Sequence, residues 1–495
     1  MSHPATSTVE ANALPRHPRG IYTLYFTEMW ERMSYYGMRA LLILYMTAET
    51  IRGGMNLDAA TAGAIYGLYT CAVYLVALPG GWIADRLIGP QRAVLIGGCI
   101  IALGHFTLAI PNRGAFFAGL LFVVLGTALL KPNASALVGH LYPEGGARRD
   151  AGFTLFYMGV NLGAFIGPIV CGFLGERLNW HYGFAAAGAG MVLGVIQYVK
   201  TRHHLGGAGL HPAAPSGNAR RDWLLVGTAL AAVFTVAVLA FSGILVINPV
   251  ALAQRTGIAI VSVAALWFAW AFLLAKLEGF EKKRLVVVMI LFFASALFWS
   301  GFEQAGSVMN LFGENYTRRV FFGWEMPASW LLSLNALLIL ILAVPVSFLW
   351  LGIARRNILP SLATKFAAGL LMLAAGFFVM YFAARHALNT GKVSVLWLCT
   401  TYLLHTFGEL FLSPVGLSAV TKLAPTKLAS QTMGIWFLAT SLGNLLAGLL
   451  AGGMSSENVA GMPTQFLHVA LIAGGGGLAL LLFSPLIRRL MPGIK

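Results

Sequence analysis

Charge is the scarcest property of this chain. Asp, Glu, Lys and Arg make up 10% of its 495 residues, against about a quarter in a soluble domain. Hydrophobic residues make up 58%. A soluble core needs no such excess, so the composition excludes an ordinary soluble enzyme or binding module and points to a polytopic membrane protein. Cysteine is also rare. Cys71, Cys99, Cys171 and Cys399 stand in apolar runs at unrelated spacings, which argues against a disulfide framework and reads as small buried hydrophobes. The first 20 residues contain no short apolar stretch, so no signal peptide is expected and the first membrane helix is expected to direct insertion. Acids are fewer than bases, 17 against 33, for a net charge of +16. In a soluble chain that balance raises the question of nucleic acid. Here the Lys and Arg fall mostly in short loops between apolar runs, and no nucleic-acid partner is expected.

What the chain has in abundance is apolar runs of spanning length. They lie near 21–48, 60–84, 93–111, 115–138, 152–175, 183–200, 223–246, 256–275, 285–312, 328–351, 362–384, 393–421, 430–452 and 464–487. At about 20 residues per span this predicts fourteen helices in an all-α protein. With the N-terminus placed inside, the inner loops carry nearly three times the Lys and Arg of the outer loops. Both termini are therefore expected on the cytoplasmic side. The longest polar stretch, 201–222, is rich in Gly, Pro and His and reads as a flexible cytoplasmic linker. Its three histidines, His203, His204 and His211, suit a metal less well than a plain linker. The expected division is a tail at 1–20, six helices over 21–200, the linker, two extra helices over 223–276, and six helices over 284–489. Six plus six is the count of a transporter whose two halves bind substrate between them near mid-membrane.

The few intramembrane charges carry the functional argument. A charge at the centre of a membrane helix costs about 2.5–3.5 kcal/mol on insertion scales, so such charges should pair or do work. The acids well inside a run are Glu28, Glu31, Glu303 and Glu409, and the bases are Arg32, Arg39 and Lys131. On a helix, Glu28, Arg32, Tyr35 and Arg39 fall within roughly 60° of one another, with Glu31 about 60° further round. That stripe must face protein or a water-filled cavity. A local Glu28–Arg32 pair would account for one contact. It leaves Arg39, Lys131, Glu303 and Glu409 unexplained. Four acids against three bases leave one carboxylate over. In low dielectric an unpaired carboxylate takes up a proton, which suggests a coupling-proton site.

These residues also carry a family resemblance. EMWERMSYYG (Glu28–Gly37) is similar to the ExxERFxYYG signature of the proton-dependent oligopeptide transporter family of the major facilitator superfamily, with Met33 in place of Phe. FTLFYMGVNLGAFIGP (Phe153–Pro168) resembles the family's FYxxINxG segment, with Val160 for Ile. LLKPN (Leu129–Asn133), FWSGFEQAGS (Phe298–Ser307), GELFLSPVGLS (Gly408–Ser418) and GGWIADRLIGPQR (Gly80–Arg92) resemble further segments in the family's order. The resemblance runs from about Gly20 to the last helix. It implies the major facilitator fold, two six-helix bundles plus two extra helices, and a proton-coupled symporter that imports di- and tripeptides by alternating access. It assigns Glu28, Glu31, Arg32 and Glu303 to proton coupling. It pairs Arg39 with Glu303, and Lys131 with Glu409 or with the acids of the first helix, as gating salt bridges. Tyr35, Arg39, Tyr69, Lys131, Asn161, Trp299, Asn335, Glu409 and Trp436 are implied to line the peptide site. Animal relatives have a histidine where this chain has Gly67, and a large external domain where Arg385–Lys392 is a short loop. Both departures suggest a bacterial inner-membrane protein whose coupling rests on carboxylates.

The chemistry agrees with that assignment. A short peptide is a zwitterion of variable side chain, so its site needs a positive pole (Arg39, Lys131), a negative pole (Glu409) and tolerant aromatic walls such as Tyr35, Tyr36, Trp299 and Trp436. Asn161 and Asn335 offer amide groups to the peptide bonds. Protons are the only coupling ion expected, with no cofactor and no metal, in a monomer whose other partner is the bilayer. An enzyme is not expected: His105, His405 and His468 form no HExxH and flank no activated serine. His405, four residues before Glu409, is a candidate neighbour of that acid, though a satisfied helix histidine is the favoured reading. Other readings are a different small solute, such as nitrate or a drug, and a receptor without transport.

Overall fold

The computed structural model describes residues 17–144, 146–356, 361–454 and 460–491. Most of the tail expected at 1–20 thus lies outside the described residues. Fourteen long helices run through the described chain: α1 (Gly20–Thr47), α2 (Ala59–Ile88), α3 (Pro90–Leu108), α4 (Arg113–His140), α5 (Arg148–Leu178), α6 (Trp180–Thr201), α7 (Ala219–Phe241), α8 (Pro249–Leu273), α9 (Gly279–Phe302), α10 (Ser333–Arg355), α11 (Leu362–Thr390), α12 (Leu396–Leu423), α13 (Ala429–Leu449) and α14 (Met462–Leu482). The chain is an all-α multi-pass membrane protein. Helix starts follow the sequence chemistry. Asn112 caps α4 by accepting from Gly114 N at 2.7 Å, Asn248 caps α8 ahead of Pro249, and Asp58 caps α2 by accepting from Thr61 N at 2.9 Å. α2 is interrupted at Val76, four residues after Ala72 and just ahead of Pro79, whose ring nitrogen cannot continue the helical ladder.

Backbone contacts through glycine set the packing. In lipid, helices associate by close approach at small residues. A Cβ added at Gly104 of α3 would lie 2.9 Å from the Gly119 carbonyl of α4, and one at Gly126 would lie 2.7 Å from the Gly97 carbonyl. Along α1 and α5, Gly163 and Gly167 receive the Met29 and Met33 carbonyls. Between the first six and the last six helices, Gly63 and Gly67 of α2 abut Gly448 and Leu445 of α13.

The faces of the molecule differ. The polar contacts described between the first six and the last six helices all lie toward the face opposite the N-terminus. Asn310 Nδ2 donates to the Ala40 carbonyl at 2.8 Å, and Arg52 pairs with Glu314 at 3.3 Å. The Glu176 carboxylate accepts from Ala328 N and Ser329 N at 2.7 and 3.0 Å, and Ser333 Oγ donates to the Phe165 carbonyl at 2.7 Å. Beside the Arg52–Glu314 pair a cavity of about 870 Å³ is lined by Leu44, Arg52, Trp180 and Glu314.

Two expectations need correction. The 201–222 segment is not a free linker. Ala214 N and Ser216 N donate to the Asp85 and Arg86 carbonyls at 3.0 and 3.2 Å, and Gln91 bonds the backbone carbonyls of Gly206, Ala208 and Gly209. Gly206 and Gly209, at φ +56° and +65°, make the turns that lay the segment along the α2–α3 connection. Asp222, at its end, lies 3.7 Å from Arg86. The second correction is that the run 285–312 is not one helix. α9 stops at Phe302, a 3₁₀ turn spans Glu303–Gly306, and a separate helix follows at Val308–Tyr316. The extra pair, α7 and α8, is asymmetric: α7 is exposed along its apolar length, whereas α8 packs on α2 and α13 and its Trp267 Nε1 donates to Gln431 Oε1 at 2.9 Å.

Gly167→Leu is expected to lower the apparent melting temperature of the purified protein by several degrees, an overpacking cost of about 1–3 kcal/mol. Gly207→Leu, where an added Cβ meets nothing within 4 Å, is expected to leave it unchanged. Thermal melts followed by size-exclusion chromatography compare the two.

Candidate functional site

The charged stripe of α1 is buried in protein along its whole length. Glu28, Glu31, Arg32, Tyr35 and Arg39 are all buried. Arg32 is shared by two acids. Its Nε lies 3.3 Å from Glu28 Oε1 and contacts Glu31 Oε2, while its Nη2 donates to Glu31 Oε1 at 2.6 Å. The guanidinium lies 4.9 Å from the Tyr35 ring centroid and 5.9 Å from that of Tyr36. Two carboxylates on one arginine leave a net negative charge, which a cation–π contact does not neutralise.

Two turns along, Arg39 meets the other half of the molecule. Its Nη2 forms an ion pair with Glu303 Oε2, and its Nε donates to Tyr66 Oη at 2.5 Å. Both charged side chains are about 7% exposed. The Arg39–Glu303 pair expected from the sequence is therefore present, where α1 meets the 3₁₀ turn that follows α9. The Tyr36 ring lies 5.9 Å from Arg39 as well as from Arg32, so one tyrosine faces both cations.

The other expected pair is not made in this structure. Lys131 Nζ lies 3.9 Å over the ring of Tyr74, on its own side of the molecule. Glu409 Oε2 accepts from Asn335 Nδ2 at 3.0 Å, and the same Asn335 nitrogen donates to Thr406 Oγ1 at 3.0 Å. Each member finds a partner within its own half, and among the described residues no ionic contact spans α4 and α12. Glu28, Glu31 and Glu303 lie within electrostatic reach of Lys131. Pro132 follows the lysine. It leaves the Ala128 carbonyl without a helical donor, and Gly80 of α2 packs against that carbonyl.

The remaining predicted wall residues divide into two sets. Trp299 and Asn335 are half-buried, as are Tyr36, Tyr74, Lys131 and Glu409. Asn161 is buried and donates to the Tyr157 carbonyl at 2.9 Å. Trp436 is packed edge-on to Phe366 and against Gly416. Tyr69 is stacked on Tyr35 with centroids 6.3 Å apart, and both rings are buried. Sequence reasoning missed Tyr66 and Tyr74. Tyr69 lies roughly 140° around the helix from Tyr74, so the choice among three tyrosines needed the phase of α2 relative to α1. His405 is buried with Nε2 3.2 Å from the Leu373 carbonyl and its ring against Phe377, a satisfied helix histidine rather than a partner of Glu409. The rings of His203 and His204 lie 4.0 Å apart, tilted by 46°. No group of three metal-ligating side chains occurs among the described residues.

The arrangement can hold a zwitterion between halves: cations on the first six helices, an acid and an amide on the last six, and aromatic rings between. Comparison with known proteins agrees in kind. A family model described as the POT family matches residues 91–466. The chain is 42% identical over 501 residues to the peptide transporter YePEPT of Yersinia enterocolitica, covering 98% of each. It is 37% identical over 437 residues to a di-/tripeptide transporter of Lactococcus lactis subsp. cremoris, covering 86% and 87%. A crystal structure of a peptide transporter POT variant in complex with alafosfalin superposes with a TM-score of 0.89 at 39% identity, covering 96% of both chains.

Removing one partner of a buried ion pair costs roughly 3–5 kcal/mol because the other charge is left uncompensated. Glu303→Ala is expected to destabilise the purified protein by that order, and Arg39→Ala in the same chain is expected to recover most of the loss. A double variant no more stable than Glu303→Ala, read by thermal melts, would contradict the pairing.

Proposed function

The chain belongs to the POT family, and from that premise we propose that it is a symporter importing di- and tripeptides with protons by alternating access. It is a transporter, not an enzyme. The observation that carries the reading is the Arg39–Glu303 pair, which joins the halves through two buried, opposite charges. A carboxylate that gains a proton loses its hold on its arginine, and that arginine is then free for a substrate carboxylate. The proton gradient would supply about 1.4 kcal/mol per pH unit per proton, and the membrane potential about 2.3 kcal/mol per charge per 100 mV.

In this reading the peptide lies between α1, α2, α4 and α5 on one side and α9, α10, α12 and α13 on the other. Arg39 and Lys131 receive its carboxylate, Arg as a planar bidentate fork and Lys as a point charge. Glu409, held by Asn335, receives its amine. Tyr35, Tyr69, Asn161, Trp299, Asn335 and Trp436 form or back the wall, with Tyr36 and Tyr74 added. Glu28, Glu31 and Arg32 form the proton-coupling group of the first helix, and Lys131 and Glu409 pair only in another state of the cycle. Residues 21–200 and 284–489 move against each other as two bundles in a single-chain unit. The Lys and Arg bias of the loops favours both termini in the cytoplasm of a bacterial inner membrane. In this reading the outer face is closed, since the polar contacts described between the halves lie on the face away from the N-terminus.

Purified protein in liposomes, with an imposed inward proton gradient and labelled dialanine outside, tests the proposal. Accumulation abolished by an uncoupler and competed by unlabelled dipeptides is expected. Glu303→Gln is expected to abolish accumulation against a gradient. Intact concentrative uptake by that variant would remove Glu303 from the coupling mechanism.

A further inference from the structure

We propose that Tyr66 and Gly306 form a keyed closure of the far face, in which Tyr66 positions Arg39 and only glycine at 306 leaves room for the Tyr66 hydroxyl. This deepens the transport reading above and rests on it. The closure begins with the break in α9. In a 3₁₀ turn, side chains at i and i+3 eclipse. The turn Glu303–Gly306 therefore presents Glu303 and Gly306 on one face. Ser307, at φ −122° and ψ −90°, redirects the chain, and its Oγ donates to the Ala447 carbonyl at 2.9 Å, fixing the turn against α13.

Against that face stand Arg39 and Tyr66. The arginine donates from Nε to Tyr66 Oη at 2.5 Å and reaches Glu303 from Nη2, so two edges of one rigid plane are held by two different partners. A Cβ added at Gly306 would collide with Tyr66 Oη, and would lie 2.8 Å from Cζ and 3.3 Å from Arg39 Nε. The phenol thus occupies the position a side chain at 306 would need. The division between halves gives the contact its meaning. Tyr66 and Arg39 belong to α2 and α1, whereas Glu303 and Gly306 belong to the turn after α9. When the far face parts, Glu303 and the notch at Gly306 leave together, and the Arg39–Tyr66 bond stays behind. Tyr66 then holds the guanidinium edge in place while its outer nitrogens await a carboxylate. The titratable groups that act on Tyr66 include Arg39, Tyr35 and Tyr36 of α1, Glu303 of the turn, and Tyr402 of α12.

The test compares Tyr66→Phe, Gly306→Ala and the double variant in the liposome assay and in a closure assay. Closure is read by thiol cross-linking of Arg52→Cys with Glu314→Cys, with Cys99 and Cys399 replaced by Ala. Gly306→Ala is expected to lower the cross-linking yield about fivefold or more, as overpacking at a tight contact does, and to lower uptake with it. Removing the hydroxyl relieves the nearer of the two contacts while Cζ stays 2.8 Å from the added Cβ, so Tyr66→Phe in the same chain is expected to restore part of both. Tyr66→Phe alone leaves a donor of a buried guanidinium unmet and is expected to raise KM for dialanine about tenfold, with a smaller change in maximal rate and a displaced pH profile. A double variant no better than Gly306→Ala, or a Tyr66→Phe protein with wild-type KM and pH profile, overturns the proposal. If Gly306→Ala gives no monodisperse protein, the Tyr66→Phe result decides alone. A wild-type protein that does not accumulate dialanine would instead sink the transport reading, and the cross-linking comparison would still read the closure.

Discussion

A buried ion pair across a seam that has to open governs the arrangement. Arg39 and Glu303 are charged, nearly dry, and attached to different halves of the molecule. A pair of this kind contributes little net stability, because desolvation of both charges offsets their attraction, yet splitting it is costly. It is therefore a poor staple, and in the transport reading proposed above it acts as a switch. The elements around it serve that use. α1 brings the arginine on a stripe with no exposure to lipid, the 3₁₀ turn after α9 brings the acid, and Tyr66 keeps the arginine oriented from its own side.

The Arg32 cluster differs in kind. Its members all lie on one helix and one half, so its geometry need not change when the halves separate. Two carboxylates held by a single guanidinium leave an excess of negative charge that one proton can cancel. The molecule thus has one acid–base group that is local and one that spans the seam. The lysine at 131 feels charges of both groups, Arg32, Glu31 and Glu28 of one and Glu303 of the other.

Much of this was legible in the sequence for one physical reason. Lipid penalises charge so heavily that seven charges in apolar runs mark the interior, and the runs themselves give the helices. The Arg39–Glu303 contact followed from the same logic together with the resemblance. What was not legible depended on backbone detail. The run 285–312 carries no proline at the break, so nothing in its composition marks the turn at Glu303. Tyr66, Tyr69 and Tyr74 are the same residue type on one helix, and only the rotation of α2 against α1 separates the packed ring from the two that meet cations. The polar 201–222 segment read as flexible because glycine and proline suit both a loose tether and a tightly docked one. Here its carbonyls are taken up by Gln91. In the proposed cycle, contact between Lys131 and Glu409 depends on the separation of the halves, which a sequence does not encode as a single value.

The glycine crossing of α2 and α13 has a mechanical consequence. Gly63 and Gly67 bring the two backbones into contact near one end of α2, leaving no side chain between them to compress. Such a contact resists sliding and permits tilting, as a pivot does. From Gly67 to Arg86 the helix extends about 28 Å at 1.5 Å per residue. A tilt of about 10° about that point would therefore carry the distant end of α2 by about 5 Å. The displacement is amplified along the helix while the pivot itself hardly moves, so a passage the width of a side chain can form at one face without disturbing the closely packed glycines near the other.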